Sequence, residues 1–312
     1  MTESAATDDR RSGPAWGVAK QVTMSALDEM GGRRYITGMN PARTEFARIA
    51  AREPIPLAHG ALLIAKEEYP DLDVAHYLEH LAALGRAARS ALREAENTVE
   101  RVQTLSDFLF VRTGFAGNRD NYADPRNSFL NDVLERRLGI PITLSVIYLE
   151  VGRQAGLNLF GVSFPSHFLV KAVDERGELI IDPFNGGAIL DLDDIRNRLK
   201  QIYGQPVEVQ AAMLKAVGGR HILARMLRNL KNIYASGADW QRSLAALDRI
   251  LILEPRSTDD LLERAALYER LECFGAALED FQSFLTQYAN HPAADAAREA
   301  VVRLARQVAR IN

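Results

Sequence analysis

A single cysteine in 312 residues, Cys273, rules out an internal disulfide and fits a reducing compartment. No uninterrupted apolar run approaches the ~20 residues that a membrane helix needs. The first residues, Met1 to Arg11, are polar and partly acidic. They lack a basic stretch followed by an apolar one, so no signal peptide is visible. Neither sign of charge dominates: the formal net charge of −3 argues against a general polyanion binder. Phosphate loops are missing too, because Gly186-Gly187 and Gly218-Gly219 lack the flanking residues such loops require and read as turns. These absences lead to the expectation of a cytoplasmic protein with no membrane or nucleic-acid partner. What is present is ordinary for a globular chain, 47% apolar and 25% charged, long enough for about two domains.

The chain divides by texture. Residues 1–42 read as a largely disordered or irregular segment, since the first fifteen or so cannot bury enough apolar surface to offset ordering. From Thr44 to Phe115 the pattern is helical, with Asp73 as a helix cap and Val99, Val102, Leu105 and Leu109 at helical spacing. Residues 115–127 form a polar loop rich in Gly, Asn and Asp, the kind of segment that carries function. Pro141 then suits the first turn of a helix running to Gly156. Three β-rich runs follow, with a hairpin turn at Asp174–Gly177, and Asp191 or Asp193 opens another helix. After Arg220 a shift of thirty-four residues superposes Tyr234 on Tyr268, Trp240 on Phe274, Leu244 on Leu278 and Leu251 on Leu285. That period is the tetratricopeptide signature. Two units fall short of the ~3 needed for independent stability, so they are expected to lean on the core or on the last helix. The basic residues Arg196, Arg198, Lys200, Lys215, Arg220, Arg225, Arg228 and Lys231, interrupted by acids, read as a solvated helix face.

Thiol acyl-transfer chemistry needs a thiolate favoured by a helix N-terminus, a histidine to take its proton and a third polar group to hold that histidine. In transglutaminase-like enzymes the helix reads Gly-x-Cys, an apolar run, then Arg-Ala-x-Gly. Here Gly139-Ile140-Pro141 leads through Leu144–Val151 to Arg153-Gln154-Ala155-Gly156, so Pro141 occupies the position of the expected cysteine. His167 and Asp182 flank the predicted hairpin as the remnant pair, cross-strand neighbours at its open end. Further runs extend the match: Ala65–Pro70, Gly114–Asn118, Asn127–Asn131, Arg137–Ser145, Pro165–Val170 and Ile181–Gly187. With these motifs in order the chain resembles the SirB-type family, transglutaminase-like proteins with C-terminal tetratricopeptide repeats. The resemblance spans about Phe46 to Pro292, with Ser166 standing where glycine is more usual before the histidine. It implies an α+β fold, a transglutaminase-like (papain-like) core over residues 43–205 with a helical N-terminal part, then an all-α tetratricopeptide-repeat region with a capping helix over residues 218–312.

Other groups have plainer roles beside any chemical one. Thr143 and Ser145 are substitute nucleophiles, but Ser145 lies about one pitch (~5–6 Å) below Pro141 and reads more simply as a buried hydroxyl bonded one turn back. Ser166 adjoins His167, but neighbours in a strand point to opposite faces. Cys273 reads as a small core residue of the second repeat. Asn118, Asn121, Tyr122, Asn127 and Asn131 are candidates to rim the cleft, with Tyr148 further along the helix; the plainer role for the asparagines is bonding their own loop. His76-Tyr77-Leu78-Glu79-His80 has the spacing of an inverted zincin, yet no third ligand follows at a convincing place, so a surface pair is the simpler reading. No cofactor or metal is expected. The reading that results is a non-catalytic cytoplasmic adaptor, protein-binding or regulatory, which takes a protein or peptide through its repeat groove and core cleft. The alternative is a hydrolase or acyl transferase that uses His167 and Asp182 with a Ser, Thr or water nucleophile.

Overall fold

The computed structural model describes residues 40–311. The expected irregular segment lies outside them except for its last three residues, and these already begin a helix. Asn40 Oδ1 accepts the Ala42 N–H at 2.9 Å and Pro41 takes the first helical position, opening α1 (Pro41–Ala50). α2 (Leu57–Glu68) is the central helix, with Ala61 to Ala65 almost wholly inaccessible. α3 (Val74–Ala91) is capped by Asp73, whose Oδ1 accepts the His76 N–H at 3.1 Å. α4 (Thr98–Ser106) is capped in the same way by Asn97 and runs into a wider helical turn over Asp107–Arg112.

The polar loop is tied down at both ends. β1 (Ala116–Gly117) pairs in parallel with β2 (Leu138–Gly139), which follows α5 (Leu130–Arg136) and leads directly into α6 (Pro141–Gln154). Gly117 must be glycine: a Cβ there would lie 2.6 Å from the Phe184 ring.

β3 (Leu159–Val162), β4 (Leu169–Asp174), β5 (Gly177–Asp182), β6 (Ala188–Leu190) and β7 (Ala216–Val217) form one antiparallel sheet in the order β6-β5-β4-β3-β7. The expected hairpin is present, with Asp174 Oδ1 accepting the N–H groups of Arg176 and Gly177 at 2.8 and 3.1 Å. α6 packs on one face of the sheet. On the other, Leu169 joins Val162, Phe164, Ile180 and Leu190 against Ile195 and Leu199 of α7 (Leu192–Tyr203). Because both faces are covered, β4 reads as an almost continuous apolar run. Asp191, not Asp193, caps α7: its carboxylate accepts the Asp194 N–H at 2.8 Å and Asp194 accepts the Asp191 N–H at 3.1 Å.

Two helical hairpins follow, α8 (Gly219–Ser236) with α9 (Trp240–Leu253) and α10 (Thr258–Arg270) with α11 (Phe274–Gln287), closed by α12 (Ala294–Ile311). Their internal equivalence extends to the backbone. Ala238 and Glu272 occupy matching turns with left-handed φ of 56° and 60°, and the Tyr234 and Tyr268 carbonyls accept matching N–H groups from Asp239 and Cys273, both at 2.8 Å. Cys273 is therefore not a core residue. It stands half-buried at the start of α11, where Asp239 caps α9, and makes no such cap.

The first repeat does not stand apart from the core. One apolar cluster runs from Phe46 to Leu267 and includes Ile222, Leu223, Leu227 and Leu230 of α8. α2 and α8 approach so closely that a Cβ on Gly60 would lie 2.5 Å from Leu223. Charges follow the same joint: Arg43 pairs with Glu67 and, at 2.8 Å, with Asp248 of α9. Asp248 meets Arg264 of α10 at 3.1 Å, and Arg264 forms a fork with Asp280 of α11 at 2.7 and 2.8 Å. The second repeat and α12 add a smaller cluster around Phe281, Phe284 and Leu304.

Candidate functional site

α6 starts from an extended Ile140, and Thr143 fixes that start. Its hydroxyl accepts the Ile140 N–H at 3.1 Å and donates to the Asn127 carbonyl at 2.8 Å, which joins the polar loop to the helix. Pro141 and Ile142 then form one wall of a cavity of about 130 Å³. The other walls come from Tyr122, from Ser166, His167 and Phe168 between β3 and β4, and from Arg225 and Asn229 on α8. Pro141 and the histidine thus share a cavity, although they lie far apart in sequence.

His167 Nε2 lies 2.9 Å from Asp182 Oδ1. Asp182 is fully buried at the end of β5 and has no lone pair to spare. Its Oδ1 also accepts the Phe184 and Asn185 N–H groups at 3.1 and 3.3 Å. Its Oδ2 takes the Asn185 amide and an Arg198 Nη2, each at 2.5 Å. Burial alone would raise this carboxyl. The hydrogen bond and charge of His167, the Asn185 amide and the Arg198 guanidinium outweigh it and hold the carboxyl down at about 2. An ionised Asp182 requires the proton on Nε2, so Nδ1 is the nitrogen left without a partner among the described residues. The Phe184 ring meets the imidazole edge-on at 5.9 Å between centres and blocks one side. Chemically the arrangement is an oriented base beside a helix start that offers no sulfur.

The substitute nucleophiles do not join this pair. Thr143 is fully buried and committed to the cap just described. Ser145 is equally buried, away from the cavity lining, and its hydroxyl has no partner, so the expected bond one turn back is not formed. Ser166 corrects an expectation. It lies in a turn with φ of 52°, outside any strand, so alternation does not turn it away, and it lines the cavity beside His167. No hydrogen bond joins its hydroxyl to the imidazole, whose nitrogens bond only to Asp182 among the described residues.

Of the loop residues, only Tyr122 lines the cavity, 51% exposed and edge-on to Phe184 at 6.2 Å. Asn118, Asn121 and Asn127 hold the loop together: Asn118 Nδ2 donates to Asn127 Oδ1 at 3.0 Å, Asn118 Oδ1 accepts the Asn121 N–H at 3.1 Å, and Asn127 Nδ2 donates to the Asn121 carbonyl at 2.7 Å. Asn131 is buried, with its Oδ1 unpaired. Tyr148 is a core residue, fully buried and stacked on Phe110, its hydroxyl 3.1 Å from Ser106 Oγ. The apolar stripe of α6 carries it inward. His76 is exposed on α3 with its ring edge-on to Tyr77, and among the described residues no group of three or more His, Cys, Asp or Glu side chains converges there or elsewhere.

Three residues at the site escaped the sequence reading. Arg198 and Arg225 belong to the basic run that reads as a solvated face, and Asn229 carries no signal of its own. Arg196, Lys200 and Lys215 are exposed as expected, but the later part of the run points inward: Arg220 binds the Leu253 and Ala50 carbonyls, Arg228 pairs with Glu254 and Asp260, and Lys231 pairs with Glu263. The one available hint was spacing, since Arg225 and Asn229 are four apart and share a helix face.

Comparison with known proteins agrees with this architecture. The Transglutaminase-like superfamily profile matches residues 75–228 and a Tetratricopeptide repeat profile matches residues 230–302. A UPF0162 protein of Xylella fastidiosa (strain Temecula1) is 40% identical over 258 residues, covering 82% of this chain and 92% of that protein. A UPF0162 protein of Pseudomonas aeruginosa is 32% identical over 235 residues, 75% of this chain and 86% of its own length. The mouse F-box only protein 21 is 32% identical over 204 residues, 62% of this chain but 32% of that longer protein. Tetratricopeptide repeats as a class present surfaces for protein–protein contact. By these matches and by its fold, the chain belongs to the UPF0162 family of SirB-type proteins, in which a transglutaminase-like core is followed by tetratricopeptide repeats.

Proposed function

We propose that this protein is a non-catalytic binding protein of the cytoplasm, in which the cleft of a transglutaminase-like core, acting with the repeats, holds a segment of a protein partner without cutting it. One observation carries the reading: Pro141 opens α6 at the cavity that His167 lines. A proline there supplies neither a nucleophile nor a backbone N–H, whereas a thiol near neutral pH would be the natural attacking group for an imidazole so held. The cleft is walled partly by α8, whose later turns pass into the tetratricopeptide-repeat match, which supports a site where core and repeats act together. In this reading Tyr122 and His167 meet the partner, while Asn118, Asn121 and Asn127 keep the rim in shape. The single cysteine supports a reducing location.

The intact His167–Asp182 pair favours a second reading, in which the imidazole activates a water for hydrolysis. Two measurements on the full chain separate them. With fluorophosphonate and acyl probes the binding reading expects no labelling; a label present in wild type and absent in His167→Ala overturns it. With a photo-crosslinking residue at Tyr122, the binding reading expects covalent capture of a full-length protein partner. Recovery of a shortened or hydrolysed product instead supports the water reading.

A further inference from the structure

The basic residues around the joint between core and repeats are almost all matched. Arg228, Lys231 and Arg242 each meet carboxylates, and Arg220 is satisfied by two carbonyls. Arg225, like Arg220, meets no carboxylate among the described residues, but it alone of these residues lines the cavity. Its Nη1 donates to Ser163 Oγ at 2.5 Å, and its Nη2 donates to the Phe164 and His167 carbonyls at 3.2 and 2.7 Å. These bonds, and the Phe168 ring 5.5 Å below its carbon centre, hold the guanidinium rigidly at the cavity wall. None of its partners is a carboxylate among the described residues, and its Nε–H has no acceptor there. Burial accordingly pushes its proton affinity below the ordinary value, with the Tyr122 hydroxyl the one group acting in the opposite sense.

Other residues with spare donors line the same space. The Asn229 side-chain amide, one turn along α8, makes no hydrogen bond among the described residues and lines the cavity. Ile142 also lines it, and as the second residue of α6 it has an N–H that the helix does not satisfy. Arg225 is the one arginine or lysine in the lining, and no carboxylate among the described residues lines the cavity beside it. That favours a monoanion over a phosphate dianion. At about 130 Å³ the space suits a small acidic group and a short stem, not a folded surface.

The geometry points to a carboxylate-binding pocket between α6, the β3–β4 turn and α8, in which Arg225 and Asn229 receive one carboxylate of the bound peptide, from an acidic side chain or a chain end. The inference rests on the binding reading above and names the group that is bound. It is tested on the full chain by saturation-transfer NMR with three small probes: N-acetylglycine for a chain end, N-acetylglutamate methylamide for a side chain, and N-acetylglycinamide as the neutral control. At least one acid is expected to bind with a dissociation constant on the order of millimolar, and the amide about tenfold or more weakly. Which acid binds identifies the source of the carboxylate. Arg225→Met is expected to remove binding. Should it also unfold the protein, Asn229→Leu decides, because it fills the cavity without breaking any intramolecular hydrogen bond seen here. Equal binding of acid and amide, binding of neither acid, or undiminished acid binding in folded Asn229→Leu overturns the proposal. Such a failure leaves the non-catalytic reading untouched, since a pocket for a neutral peptide group would be equally silent toward the acyl probes.

Discussion

Asp182 shows how far a single residue is committed at this site. It is buried, ionised and bonded through both oxygens to His167, to Arg198 and to the residues that follow it. Its carboxyl is held at about 2 against an ordinary 3.8, so it contributes stability that is fully present above the ordinary value and is lost as pH falls through about 2. The difference corresponds to roughly 2 kcal/mol. Urea denaturation at stepped pH is expected to show wild type losing about that much more stability than Asp182→Asn between about pH 4 and pH 2. Parallel curves would remove Asp182 from this role. Ser166 teaches a residue-scale lesson of another kind. The glycine more usual before the histidine marks a left-handed position, and Ser166 adopts φ of 52° there. The departure from the family pattern flagged this position, but the strand reading of Ser166 hid both the turn and the placement of the serine on the cavity wall.

At the scale of elements, helix ends decide where the site groups stand. Thr143 carries the start of α6, since its hydroxyl serves Ile140 and Asn127 at once. Thr143→Val keeps the shape and leaves both groups without that partner in a dry interior, a cost of about 1–3 kcal/mol by thermal or chemical denaturation. If Thr143 were a nucleophile instead, stability would hardly change while probe labelling fell. In the second repeat Cys273 stands where the first has the capping Asp239. Cys273→Asp is accordingly expected to stabilise the protein by about 0.5–1 kcal/mol, and an unchanged midpoint would argue against the equivalence of the two turns. Elements of this kind were readable because their signals are local: Asp73 before α3, Pro141 at α6, the Asp174–Gly177 turn and the thirty-four-residue shift. Arg198 and Arg225 were not readable. A basic residue on an amphipathic helix fits a solvated face and a buried partner equally well, and the partners, Asp182 and the β3–β4 turn, come from other parts of the chain. Tyr148 was misplaced for the same reason: helical spacing puts it on α6 but does not tell which side of α6 meets α4.

At the scale of the whole molecule, the core and the first repeat share one apolar cluster. The boundaries read from texture, 43–205 and 218–312, leave β7 (Ala216–Val217) of the sheet between them. The main apolar cluster ignores them, for α8 contributes Ile222, Leu223, Met226, Leu227 and Leu230 to it, and charges alternate from Glu67 through Arg43, Asp248 and Arg264 to Asp280. A chain ending at residue 205 would expose that surface on α2 and lose the wall bearing Arg225. It is expected to show no cooperative thermal transition, while a chain ending after Glu254 keeps one; a well-folded shorter fragment would contradict a shared core. In the proposed reading the same integration keeps a thiol-chemistry frame in place without a thiol, because α6, the β3–β4 turn and α8 wall one cavity while β5 and α7 hold its histidine through Asp182 and Arg198. The most direct measurement of that claim restores the sulfur. In a Cys273→Ser background, Pro141→Cys places one thiol at the start of α6, and its pKa is read from the pH dependence of alkylation by iodoacetamide. The account predicts a value well below the ~8.5 of free cysteine, rising again when His167→Ala is added. A thiol that titrates at or above ~8.5, indifferent to His167, would show that Pro141 does not stand where a nucleophile would meet the imidazole.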